Sequence, residues 1–175
     1  MIEVHVSELK QLFHSLDPTP FRERDIDPQA EEFIAGWARE LGPDKPLALI
    51  VHVDQELPSV EEVQILRNAF REYFGERAVQ IRRRLRQLFR VGRTSLTIGL
   101  LFLAASILIG DLVATVLRET RFAGIARESL LIGGWVAMWR PLEVFLYDWW
   151  PIRAEARLFD RLGAMALRVV PSRSA

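Results

Sequence analysis

Apolar and polar residues alternate from the start of the chain. Ile2, Val4 and Val6 are separated by Glu3 and His5, the period-two pattern of a strand with one apolar face. After Ser7, a residue suited to capping a helix, Leu9, Leu12, Phe13 and Leu16 recur at three- and four-residue steps, so a helix is expected there. Asp17-Pro18-Thr19-Pro20 ends it, because proline lacks an N–H and disfavours helical geometry in the residue before it. The polar loop Arg22-Glu23-Arg24-Asp25 follows, read as a self-paired, solvated surface, with a docking surface as the alternative. Asp27 as N-cap and Pro28 at the first helical position begin a second helix. Its apolar stripe is Phe33, Ile34, Trp37, Ala38 and Leu41, and Gly42-Pro43 closes it. Leu47, Leu49, Val51 and Val53 then alternate with Ala48, Ile50 and His52, as in a mostly buried strand. The order β-α-α-β predicts a small α+β head over residues 1–58. Its sheet is short of strands and relies on the next helix or on another copy for cover.

From Ser59 the period changes to that of a helix. Ser59-Val60-Glu61-Glu62 is a capping box, in which the serine side chain and the glutamate three residues on satisfy two orphan amides. Val63, Leu66, Phe70, Phe74, Ala78, Ile81, Leu85 and Leu88 continue at helical spacing, and no proline interrupts Val60 to Leu117. One helix is therefore expected to run from the head into the membrane, roughly 87 Å long at 1.5 Å per residue, with Gly75 and Gly92 as its bends. Residues 59–94 form an amphipathic, Arg-rich neck. Residues 95–117 carry Asp111 as their one charge and are long enough to span a hydrocarbon core of ~30 Å, which a domain this small could not cover all round. Residues 118–128 read as an external loop and residues 129–150 as a second transmembrane helix. Arg140-Pro141, Glu143 and Asp148 interrupt that second segment, which leaves a re-entrant or surface-lying course open. Tyr147, Trp149 and Trp150 have the composition of an interfacial belt, and residues 151–175 read as a basic tail. The fold class expected is an α-helical membrane hairpin of two transmembrane helices carrying an N-terminal α+β head.

Charge sharpens this topology. The chain is neutral overall, with 23 basic and 23 acidic residues, but unevenly so. Met1–Gly75 holds 7 basic against 15 acidic residues, whereas Glu76–Arg93 holds 7 arginines and one glutamate. A basic collar directly before a span predicts binding of anionic lipid headgroups by Arg82, Arg83, Arg84, Arg86, Arg90 and Arg93, in preference to nucleic acid. Arg153, Arg157, Arg161, Arg168 and Arg173 follow the second span, while Arg118, Arg121 and Arg127 in the connection are offset by Glu119 and Glu128. The positive-inside rule then places both termini in the cytoplasm. No N-terminal signal-peptide pattern is visible. Cysteine is absent, which removes disulfides, thiolate nucleophiles and cysteine metal sites, and suits a reducing compartment.

Charged side chains at bilayer depth cost at least ~2.5 kcal/mol each and so face protein, water or a partner. Arg140 and Glu143 share a helical face at i,i+3, and the depths of Asp111 and Arg140 make an Asp111–Arg140–Glu143 network the expected arrangement. Its structural role is to fix helix register and hairpin geometry; its functional role would be a proton or ion path or contact with another membrane subunit. His5 and His52 share a parity within their strands and could face each other, but two histidines without cysteine make a thin metal pattern, and no metal is assigned. His14 reads as a surface helix residue. Gly99 and Gly110 are not at GxxxG spacing, and Gly133-Gly134 only suggests close helix approach. Catalytic triads, phosphate loops and paired carboxylates are not visible, so no enzymatic activity and no cofactor are expected.

The run Gly134-Trp135-Val136-Ala137-Met138-Trp139-Arg140-Pro141-Leu142-Glu143-Val144-Phe145-Leu146-Tyr147-Asp148-Trp149-Trp150-Pro151, with Asp17-Pro18-Thr19-Pro20-Phe21, resembles a group of small bacterial two-span membrane proteins to which no activity is assigned. The resemblance covers most of the chain. It implies a bacterial plasma (inner) membrane and carries over no ligand or functional residue. The function expected is a non-enzymatic membrane anchor and assembly protein, whose head and long helix bind copies of the chain (a homo-oligomer) or another membrane protein. The alternative is an oligomeric channel lined by Asp111, Arg140 or Glu143.

Overall fold

A computed structural model of the chain describes residues 2–8, 12, 26–42, 45–54, 58–116 and 121–172. The helix expected after Ser7, His14 within it, the turn at residues 17–20 and the polar loop at 22–25 lie outside the described residues, Leu12 excepted. The protein is mostly helical, with a small strand-and-helix head and two long apolar helices. It divides into two compact units, one of Met1–Ile81 with Ala154–Ala175, the other of Arg82–Arg153.

The first unit is built on a three-stranded sheet in the order β1-β2-β3, with β1 at Ile2–Val6, β2 at Ala48–Val53 and β3 at Ala166–Pro171. Both pairings are parallel, with Ile2 opposite Leu49, His5 opposite His52 and Leu49 opposite Leu167. Its helices are α1 (Pro28–Glu40), the first turns of α2 (Val60–Val116) and the end of α4 (Trp149–Gly163). The two expected strands and both caps are present. Gln29 N–H donates to the Asp27 carboxylate at 2.9 Å with Pro28 in the first turn. At the capping box, Ser59 N–H donates to Glu62 at 2.8 Å and Glu62 N–H to Ser59 Oγ at 3.2 Å. Leu66, Phe70, Phe74 and Ala78 of α2 are buried together with Ile34 and Ala38 of α1 and Leu49 and Val51 of β2.

Two expectations about this unit need correction. Residues 151–175 are not a mere basic tail: α4 supplies Leu158, Phe159 and Leu162 to the same core, and β3 adds Leu167 and completes the sheet. Arg67 donates to the Leu167 carbonyl at 3.3 Å, and Arg161 donates to the carbonyls of Gly42 and Lys45, at 2.8 Å each. The face of α1 is also rotated from the expected stripe. Ile34, Ala35 and Ala38 are buried, while Phe33 and Trp37 are each 47% exposed with ring centroids 6.2 Å apart. Two alanines let α1 approach closely, and the two large rings flank that contact instead of filling it.

The second unit is an antiparallel helical hairpin. It consists of the rest of α2, then α3 (Arg121–Glu143), a π-helical turn over Val144–Asp148, and the first residues of α4. The stretch expected to be a loop at 118–128 is helical from Arg121 onward. On α2 the seam is Leu96, Gly99, Leu103, Ser106, Gly110 and Val113, at alternating three- and four-residue steps. On α3 it includes Ala123, Leu130, Gly134, Ala137 and Pro141, continued by Val144 at the start of the π-helical turn, with the same steps and one position, Arg127, between the first two. The glycines set the closeness. A Cβ at Gly134 would sit 2.6 Å from Leu103 Cδ1, one at Gly99 would sit 3.1 Å from the Ala137 carbonyl oxygen, and one at Gly92 would sit 2.7 Å from Val144 Cγ1. Pro141 has no N–H for the carbonyl four residues back, which is that of Ala137. The freed carbonyl is thus turned against a residue without a side chain, where Cα–H groups can approach it.

Both helices are long and apolar enough to cross a membrane, over Val60–Val116 and Phe122–Gly163. In each, only 17% of the most apolar window is buried, whereas the core helix of a soluble fold would be mostly covered. Hydroxyls within the apolar half of α2 are satisfied locally: Thr97 and Thr115 donate to the carbonyls of Arg93 and Asp111 at 3.1 and 2.7 Å.

Candidate functional site

Charged side chains interrupt the apolar faces of the hairpin at a few positions, and these are the candidate site. On α3, Arg140 Nη1 lies 2.8 Å from Glu143 Oε2 and 3.4 Å from Asp148 Oδ2. The first contact is the i,i+3 neighbour relation of a regular helix. The second depends on the π-helical turn. Asp148 is eight residues beyond Arg140, about 2.2 turns at 3.6 residues per turn, which would carry it off that face. The wider i→i+5 turn from Val144 to Asp148 takes up the surplus and returns Asp148 to the arginine. Trp149 closes the same turn, its indole N–H donating to the Phe145 carbonyl at 2.9 Å.

Asp111 is paired elsewhere. Its carboxylate lies 3.0 Å from Arg127 Nη2, near the turn of the hairpin. The expected Asp111–Arg140–Glu143 network is therefore two separate clusters: Arg140 joins Glu143 and gains Asp148, and Asp111 joins Arg127. Both added partners are absent from the expected set. Arg127 occupies a seam position opposite Gly110, where a Cβ would lie 3.2 Å from its Cγ. The signal for it in the sequence is the heptad spacing of α3. For Asp148 there is no such signal, because nothing in the residue types announces a π-helical turn. Beside Arg140, the residues Ser95, Ile98, Gly99, Phe102 and Pro141 line a shallow groove of about 330 Å³.

The arginines of the collar divide by role. Arg82, Arg83, Arg84, Arg86, Arg90 and Arg93 are exposed along α2. Arg77 is held by α1: its Nε and Nη2 make a bidentate pair with Glu31 at 3.0 and 2.8 Å. Tyr73 donates its hydroxyl to the same carboxylate. Burial first, and then the hydrogen bond to Glu31 and its charge, push the Tyr73 phenol up to about 12. The bond to Glu31 raises the Arg77 guanidinium further above its already high value.

On the sheet, His5 and His52 do face each other, with rings stacked at a centroid distance of 4.3 Å and 8° between planes. Glu3, on the same face of β1, brings its carboxylate to 3.6 Å from His52 Nε2.

Compared with known proteins, the chain matches no family model, no curated protein and no solved structure.

Proposed function

We propose that the chain is a non-enzymatic integral membrane anchor and assembly protein, whose helical hairpin spans the bilayer twice and holds the α+β unit at its cytoplasmic face. The observation that carries this reading is the parallel pairing of β3 with β2. The chain leaves that sheet through one long apolar helix and returns through another to lay a strand beside the one it left. A segment that begins and ends in one sheet crosses a bilayer an even number of times. This favours a full second span over a re-entrant one, despite Arg140 and Pro141. The paired charges on the hairpin also suit a lipid environment, because each cluster contains both signs. The exposed arginines from Arg82 to Arg93 suit anionic headgroups on the cytoplasmic side, and the flanking charge asymmetry supports that orientation. The resemblance to small bacterial two-span proteins makes the plasma membrane of a bacterium the setting we propose. Assembly with copies of itself or with another membrane protein is the role we infer for the exposed faces.

The alternative of a conducting oligomer draws less support. Asp111, Arg140 and Glu143 each have a counter-ion within their own hairpin, and small side chains fill the seam between the helices.

Because the chain has no cysteine, topology can be tested with single substitutions and a membrane-impermeant maleimide. Glu128→Cys is expected to react in intact cells, and Glu61→Cys and Ala164→Cys only after permeabilisation. Labelling of Glu61→Cys and Ala164→Cys from opposite sides would sink the hairpin reading. The mass of the complex in detergent is expected to exceed one chain, and proteoliposomes of wild type and Arg140→Met are expected to be equally tight to ions. Ion flux in the wild type that Arg140→Met abolishes, with the assembly intact, would replace the anchor reading with the channel.

A further inference from the structure

The open face of the sheet carries a cluster that membrane anchoring does not use. Glu3 and His5 are two residues apart on β1, so they project from the same face, and the register sets His5 directly opposite His52 on β2. One ligand atom from each of Glu3, His5 and His52 can be chosen so that all three lie within 4.8 Å of one another. His52 Nε2 is shielded from solvent and has no hydrogen-bond partner among the described residues, and the Glu3 carboxylate, 3.6 Å away, is beyond hydrogen-bond reach. A shielded imidazole nitrogen without a partner is uncommon, because removing it from water without compensation is unfavourable. We propose that Glu3, His5 and His52 form a binding site for a divalent transition-metal ion of the Zn²⁺ class.

The donor set fits that ion chemically. Two imidazole nitrogens and one carboxylate oxygen are a ligand combination used by zinc in sites that keep a further position for water. Imidazole selects against Ca²⁺ and Mg²⁺, which prefer all-oxygen shells. Bonds of about 2.0–2.1 Å at tetrahedral angles put ligand atoms roughly 3.3 Å apart, so the three groups must close by about 1.5 Å or less. Side-chain rotation alone supplies a movement of that size, since Glu3 and His5 are exposed on an edge strand. A positive charge on the same sheet, Arg168, pairs in register with Ile50 on the row that Glu3 begins, one strand further from it. A bound ion would tie the edge strand β1 to the central strand β2 and so stabilise the head. The proposal does not depend on membrane insertion, and its test is separate from the topology test.

The experiment is a Zn²⁺ titration of the tag-free, full-length protein in detergent by calorimetry, with Co²⁺ absorption as a coordination probe and thermal unfolding with and without Zn²⁺. One equivalent is expected to bind, the melting temperature to rise, and Glu3→Gln, His5→Gln and His52→Gln each to weaken binding at least tenfold. Glu3→Gln keeps the test valid if a histidine variant does not fold, because Glu3 is exposed and outside the core. No uptake in a hundredfold excess of Zn²⁺ would overturn the proposal. So would uptake that Glu3→Gln and a folded His52→Gln leave unchanged.

Discussion

Tyr73 sets its hydroxyl against Glu31, which Arg77 holds from the other side. A phenolate there would be deprived of hydration by burial and would face a carboxylate, so the neutral form is favoured and the pKa rises to about 12. An unfolded tyrosine titrates near ~10. The folded head therefore holds the proton more tightly than the unfolded chain, and the associated stability is fully present below pH ~10. It is lost as pH rises from there through 12. The thermal stability of the head is expected to fall across that window in the wild type and to fall less in Tyr73→Phe. Equal alkaline slopes would show that the phenol is not the group responsible. Local spacing explains what is legible at this scale. Arg140 and Glu143 are helix neighbours by number alone, and the structure pairs them at 2.8 Å. The partner of Asp111 is not legible in the same way, because depth along two separate helices depends on where each begins, and α3 begins at Arg121, well before the expected residue 129.

Elements are legible where one period governs them. The alternation in Ile2–Val6 and Ala48–Val53 and the capping box at Ser59 survive intact, since each is a local property of the backbone. Phe33 and Trp37 mislead because their size suggests burial, whereas close approach of α1 selects alanine. The hairpin seam is hidden for a related reason. A four-residue glycine spacing is absent, but Gly92, Gly99 and Ser106 recur every seven residues, as do Ala123, Leu130, Ala137 and Val144. That register can be tested by a disulfide. A Cβ built at Gly134 lies 3.5 Å from Ser106 Cβ, within the 3.5–4.5 Å that a disulfide spans. Leu103 Cδ1, at 2.6 Å, is the end of a flexible side chain and must move aside, and the Leu103 Cα, at 3.3 Å, must give by a few tenths of an ångström. Ser106→Cys with Gly134→Cys is expected to oxidise to an intramolecular bond in a chain with no competing cysteine, read by mass loss of two hydrogens and blocked maleimide labelling. Free thiols under oxidant would mean that the helices meet in another register.

At the scale of the whole molecule, β3 has the greatest consequence and is the least legible. Ala166–Pro171 carries Arg168 in its middle and ends in proline, so composition reads it as tail. Its identity as a strand comes from β2, more than a hundred residues earlier, and no local period reports a partner at that distance. The same pairing makes the hairpin a crossover between two parallel strands, a connection usually made by a single helix of a dozen or so residues. Closing a loop that long carries a large entropic cost before any contact forms, but two helices that fix their own ends reduce it. The head is thus complete only when the second long helix has returned, and β2 without β3 is an exposed edge. Leu167 is 3% exposed, joins the core, and accepts a hydrogen bond from Arg67 at its carbonyl oxygen. Leu167→Ala is expected to destabilise the head by about 2–5 kcal/mol, the range for emptying a buried leucine site. Hydrogen exchange can read this locally: amides of Ala48–Val53 are expected to lose protection in the variant, while those of Gly99–Gly110 in α2 keep theirs. If both segments lose protection equally, head and hairpin open as one cooperative unit; if neither does, β3 is not what holds the sheet, and the even-crossing argument for the hairpin loses its support.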